Sequence, residues 1–155
     1  MWGNLGAELC VSAHIRGSCY DKLFQKSISS YLLSMPTVLI ADDNSDFREL
    51  LCELLSASGF EVLAAYDGEH AWDMLQSNKP DVILSDVDMP RLDGVALSIR
   101  VQNAPQTSHI PMVLLSGKPP PAKPAFVFDL IRKPVELEKL LAILNLALRA
   151  TAGKD

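Results

Sequence analysis

The sequence is short of cysteine: Cys10, Cys19 and Cys52 are all it has, an odd number with neither CxxC nor zinc-finger spacing. A disulfide framework and a cysteine-held metal are therefore not expected, and the pattern suits a reducing, cytoplasmic compartment. It also lacks an excess of positive charge. Fourteen Lys and Arg stand against nineteen Asp and Glu, for a net charge of −5, and no basic stripe interrupts the chain. Direct nucleic-acid binding, which depends on clustered cations to neutralise phosphates, is thus not expected. No apolar run in the first 35 residues reaches the length of a signal-peptide core or a membrane span, so no membrane role is expected either. What remains is 155 residues, 48% apolar and 21% charged, the make-up of one globular domain with a sizeable core.

Residues 1–35 show no sustained periodicity and scatter Gly, Ser, Cys and single charges. They read as an N-terminal extension, either disordered or preceding a natural start at Met35; an amphipathic helix over Tyr20–Leu33 that docks on a partner is the alternative. The domain itself is expected over 36–150, with a tail at 151–155. That tail is too short for an output domain, which points to a stand-alone module acting through its own surface.

From Thr37 the chain alternates strand and helix. Thr37–Ala41 is a β-branched and aliphatic run, and Ser45 is placed to cap the helix that follows. Phe47, Leu50, Leu51, Leu54 and Leu55 lie on one face of that helix, which Gly59 ends. Glu61–Ala65 is a second strand, and Glu69–Ser77 a helix with Ala71, Trp72 and Leu75 inward. Asp81–Asp86 is the third strand, Gly94–Gln102 a helix, Ile110–Ser116 the fourth strand and Phe126–Arg132 the fifth. Val135–Leu148 closes the chain with a stripe of Leu137, Leu140, Leu141, Leu144 and Leu148. Such alternation predicts an α/β fold, a doubly wound five-stranded parallel sheet of flavodoxin-like order 2-1-3-4-5.

That order gathers chemistry on one edge. Asp42 and Asp43 follow the first strand, Asp86 ends the third, Ser116 ends the fourth and Lys133 follows the fifth. The carboxyl ends of the strands are where open α/β sheets bind ligands. Each residue also has an ordinary use: Asp86 as a helix cap, Asp42-Asp43 as a loop pair, Ser116 as a strand-end hydroxyl, Lys133 as a surface charge. Three carboxylates drawn together repel one another unless a cation intervenes, and oxygen ligands on a wet edge suit Mg²⁺. Asp86 is then a candidate nucleophile towards a phosphoryl group, with Lys133 and Ser116 available to its oxygens.

At this point the sequence resembles the receiver domains of two-component response regulators. The resemblance runs from Thr37 to about Leu148. It rests on Ile40-Ala41-Asp42-Asp43-Asn44, on Asp86-Val87-Asp88-Met89-Pro90 with Asp93-Gly94, on Leu115-Ser116-Gly117 and on Arg132-Lys133-Pro134. It implies that Asp86 is the phosphoacceptor, that Asp42, Asp43 and Asp86 hold Mg²⁺, that Ser116 is the switch hydroxyl and that Lys133 is the phosphate-binding lysine. It further implies a cis Lys133-Pro134 bond and a donor phosphohistidine on a sensor histidine kinase or phosphotransfer protein. Asp88 and Lys118 fall where the family places side chains that modulate water's access to the acyl phosphate, by orienting or repelling it.

Two departures stand out. Pro119, Pro120, Pro121 and Pro124 crowd the stretch between Ser116 and Lys133, so the fourth helix is expected to be short or absent. Leu130 occupies the family's aromatic switch position, for which Phe128 is the candidate substitute. Ile143 and Leu146 are apolar positions beyond the closing helix's stripe; they could serve a downstream protein target or a homodimer mate, or pack against the proline-rich stretch. The competing readings are a phosphorylation-independent adaptor and a haloacid-dehalogenase-type phosphatase, whose paired Asp the Asp86-Val87-Asp88 sequence imitates. Flavin binding would need a Gly- and Ser/Thr-rich phosphate cradle after the first strand, which is missing.

Overall fold

A computed structural model of the chain describes residues 35–119 and 122–153. The expectations for the N-terminal extension concern residues 1–34 and lie outside the described residues. Five strands, β1 (Thr37–Ala41), β2 (Glu61–Ala65), β3 (Val82–Asp86), β4 (Met112–Ser116) and β5 (Asp129–Arg132), are joined by helices α1 (Ser45–Ala57), α2 (Gly68–Ser77), α3 (Gly94–Asn103) and α4 (Leu137–Ala152). All four strand pairings are parallel, in the order β2-β1-β3-β4-β5. The predicted sheet order and flavodoxin-like class are those observed.

The alternation of side chains along each strand divides the core into two layers. Val38 and Ile40 of β1, Val82 and Leu84 of β3, and Val113 and Leu115 of β4 face α1 and α4, where they meet Leu51, Leu55, Leu140 and Leu144. Their neighbours Leu39, Ala41, Ile83, Met112 and Leu114 face α2 and α3, against Ala71, Leu75, Leu97 and Val101. Strands buried on both sides explain why β1, β3 and β4 read as continuous apolar runs.

The expectation of a short or absent fourth helix is corrected. Four helices are present among the described residues, and the fourth in chain order, α4, is the longest at 16 residues. Its leucine stripe, which lies beyond the prolines, gives it an apolar face to bury. The described part of the 117–128 connection runs through bends and turns.

Several boundaries also shift. α1 is capped by Asn44, not Ser45: the Phe47 N–H donates to Asn44 Oδ1 at 3.0 Å. Leu50, expected inward, is half exposed at 50%. Gly59, at φ +91, follows α1 in the left-handed region that only glycine adopts cheaply. β4 begins after Pro111, which has no N–H for the ladder. β5 begins at Asp129, because residues 124–127 form a turn in which the Val127 N–H donates to the Pro124 carbonyl at 3.0 Å, and a bend follows at 127–128. α4 runs to Ala152, so Thr151 and Ala152 belong to the helix and not to a tail.

Candidate phosphoacceptor site

The parallel register brings the ends of β1 and β3 side by side, with Ala41 opposite Ser85. The next residues on each strand, Asp42 and Asp86, are therefore neighbours, and both are buried, at 1% and 6% exposure. Asp43 is exposed. One carboxylate oxygen from each of the three lies within 4.8 Å of the others. Lys133, just past β5, reaches across the edge: its Nζ is 3.0 Å from Asp42 Oδ2 and 3.0 Å from Asp86 Oδ1. Asp86 caps no helix; α3 is capped instead by Asp93, whose Oδ1 accepts the Ala96 N–H at 2.7 Å.

The surroundings fix these side chains. Asp42 Oδ1 accepts the Asn44 N–H at 2.9 Å, and Arg48 Nη1 donates to the Asp42 carbonyl at 2.7 Å. Gly94 crosses directly beneath the phosphoacceptor candidate: a Cβ there would stand 2.1 Å from the Asp86 carbonyl oxygen. Glycine is thus required by close backbone approach. The Lys133-Pro134 bond is cis.

Burial pushes the Asp86 carboxyl above its ordinary range, and the charges of Asp42 and Asp43 act in the same direction. The hydrogen bond and charge of Lys133 oppose this without cancelling it. Burial by itself would lower Lys133, but its bonds to Asp86 and Asp42 outweigh it and hold the ammonium above the usual lysine value. Oxygen donors alone, partly open to solvent through Asp43, make a donor set that fits Mg²⁺.

Ser116 is buried on the same edge, and its Oγ donates to the Lys118 carbonyl at 2.8 Å. Asp88 and Lys118 stand outside the cluster as an exposed ion pair, Nζ to Oδ1 at 3.8 Å. Leu130 is half-buried and packs on the α2/α3 layer, while Phe128 packs on the α1/α4 layer. Phe128 precedes β5 and lies on the opposite side of the sheet from Leu130. Ile143 is buried in the α1/α4 layer, whereas Leu146 is 56% exposed.

Two features were missed in the sequence. Phe47 reads there as a core residue, yet its ring lies under the Lys133 ammonium, Nζ to centroid 4.2 Å. The Asn44-x-x-Phe47 spacing of a helix cap would have placed it at the site. The second is buried Asp67, which accepts the His70 N–H at 2.8 Å and pairs with Arg91, whose Nε donates to Oδ2 at 2.6 Å. Arg91 holds φ 66 and lies 5.6 Å from the centroid of Tyr66, so it ties the loop after β3 to the start of α2.

Known proteins resemble this chain in sequence and in fold. Residues 38–145 match the response regulator receiver domain model, and the chain belongs to that family. "Response regulator MprA" of Mycobacterium avium (strain 104) is 34% identical over 123 residues, 76% of this chain and 53% of the relative. The chain spans about half the length of the curated relatives it matches. Among solved structures, chemotaxis protein CheY4 of Vibrio cholerae is 30% identical, with 74% of this chain and 99% of that one covered and a TM-score of 0.68. A putative response regulator from Chloroflexus aurantiacus J-10-fl is also 30% identical, with 75% and 99% covered and a TM-score of 0.70. Receiver domains are phosphoacceptor signalling modules and not conventional enzymes, which leaves the phosphatase and flavin readings without support. No helix among the described residues is long and apolar enough to cross a membrane.

Proposed function

We propose that this chain is a cytoplasmic response regulator module that accepts a phosphoryl group on Asp86 from a phosphohistidine of a sensor histidine kinase or phosphotransfer protein. A carboxylate oxygen of Asp86 attacks phosphorus as the P–N bond breaks, and the electron pair leaves with the donor imidazole. The product is an acyl phosphate. Lys133 supplies a fixed positive charge to the transferred group, and the Ser116 hydroxyl turns from the Lys118 carbonyl to donate to one of its oxygens. Asp42, Asp43 and Asp86 would hold Mg²⁺, which neutralises charge on the phosphoryl oxygens.

The observation that carries this reading is the triple-carboxylate cluster bridged by one lysine at the carboxyl edge of the sheet. Output is then a protein–protein event at the surface around Ser116 and Lys118. The test is intact mass after incubation with Mg²⁺ and acetyl phosphate. Wild type is expected to gain one phosphoryl group only when Mg²⁺ is present, and Asp86→Asn to gain none. Equal gain in the variant, or none in wild type, would sink the proposal.

A phosphorylation-independent adaptor is the second reading, favoured by Leu130 where a switch aromatic is expected and by the turns that join β4 to β5. The mass experiment separates the two.

A further inference from the structure

Lys133 has a third neighbour besides its two carboxylates. The Phe47 ring centroid lies 4.2 Å from Nζ, within the range in which an ammonium ion is attracted to an aromatic face. The ring's place is set by a closed circuit of contacts. Asp42 Oδ1 holds the Asn44 N–H, Asn44 Oδ1 holds the Phe47 N–H, and the Phe47 ring meets the ammonium that returns to Asp42 Oδ2. The cap of α1 thereby sets both the acidic pair and the ring.

Phosphoryl transfer changes the lysine's other partners. Once Asp86 carries a phosphoryl group, the oxygen that forms the new bond no longer bears a full charge, and the ammonium must turn towards the phosphoryl oxygens. The Phe47 ring carries no charge that the transfer would alter. We infer that Phe47 is a positioning residue for phosphoryl transfer, holding the Lys133 ammonium over Asp86 through a cation–π contact. The inference rests on the function proposed above and names a residue that acts on the reaction through Lys133.

The test compares wild type with Phe47→Leu, which keeps apolar bulk, and Phe47→Trp, which keeps a π face, in intact-mass time courses with Mg²⁺ and acetyl phosphate. Phe47→Leu is expected to slow phosphorylation roughly three- to thirtyfold, the worth of a partly desolvated cation–π contact, and Phe47→Trp to stay within about threefold of wild type. Urea unfolding of Phe47→Leu, Lys133→Met and the double variant supplies a readout independent of phosphorylation, and non-additive midpoint shifts are expected. Wild-type phosphorylation with Phe47→Leu unimpaired, or with additive midpoint shifts, would overturn this inference alone. A wild type that gains no phosphoryl mass overturns the proposed function, and the inference falls with it.

Discussion

Lys133 Nζ stands at 3.0 Å from Asp86 Oδ1 and at the same distance from Asp42 Oδ2, so one ammonium ion compensates two buried carboxylates contributed by different strands. The lysine side chain is itself only 25% exposed. Removing it leaves charges that cannot reach water freely. Lys133→Met is expected to lower stability in metal-free buffer by about 3 kcal/mol. Mg²⁺ should restore part of the loss, because a divalent ion among the same carboxylates takes over the neutralisation. Urea midpoints with chelator and with Mg²⁺ check this; a variant as stable as wild type without metal would show that the pair contributes nothing net.

Asp86 and Asp67 should respond to pH with opposite sign. Burial first, with the charges of Asp42 and Asp43, raises the Asp86 carboxyl. The folded state therefore holds this proton more tightly than the unfolded one. That contribution is full below the unfolded value and is lost as pH rises through the folded one. Asp67 is lowered: burial works against its charge, but the His70 N–H and Arg91 outweigh burial. Its contribution is present above the unfolded value and is lost as pH falls through the folded one. In metal-free buffer, Asp86→Asn should be more stable than wild type near neutrality and Asp67→Asn less stable. Both differences should shrink as pH falls below the carboxylate range. Urea midpoints between pH 3 and 7 decide, and a constant gap for either variant would contradict its assignment.

Gly94 and Asp86 are linked through the backbone. A methyl group at Gly94 would stand 2.1 Å from the Asp86 carbonyl oxygen, and that atom belongs to a strand paired on both sides. Neither partner can yield without shifting β3 or the start of α3. Gly94→Ala should cost on the order of 3 kcal/mol or more, well beyond the ordinary effect of alanine in a helix. Urea unfolding measures it directly. Gly153→Ala, whose Cβ would meet nothing within 4 Å, serves as the control.

The five strands and their order were readable because each buried strand is an unbroken aliphatic run and each helix carries a stripe of period 3.6. The site was readable because strand-end positions in such a sheet fall on one edge whatever the loops do. What escaped was decided by contacts between distant residues. Phe47 looks like a core residue until β5 delivers Lys133 beside it. Asp67 and Arg91 are an ordinary acid and base in sequence, and the buried acid meets the exposed base only when two loops come together. The expectation of a short or absent fourth helix went astray for a local reason: the prolines lie in sequence before the fourth helix of the chain, which is built from the leucines after Pro134.

Asp42, Asp43 and Asp86 offer oxygens within 4.8 Å of one another, and two of the three residues are buried, so binding of Mg²⁺ should couple to folding. A ligand that binds the folded state alone stabilises it by about 2.7 kcal/mol at a hundredfold excess over its dissociation constant. Saturating Mg²⁺ should accordingly raise the thermal midpoint of wild type by several degrees. Asp42→Asn and Asp43→Asn should abolish or sharply reduce the rise, because a divalent ion that keeps most of its waters depends on its few carboxylates. Asp88→Asn should leave the rise intact, since Asp88 points instead to Lys118 at 3.8 Å. Thermal melts over a Mg²⁺ titration provide the measurement. A rise that survives both cluster substitutions would place the ion elsewhere, and one lost with Asp88→Asn would extend the metal site to the loop after β3.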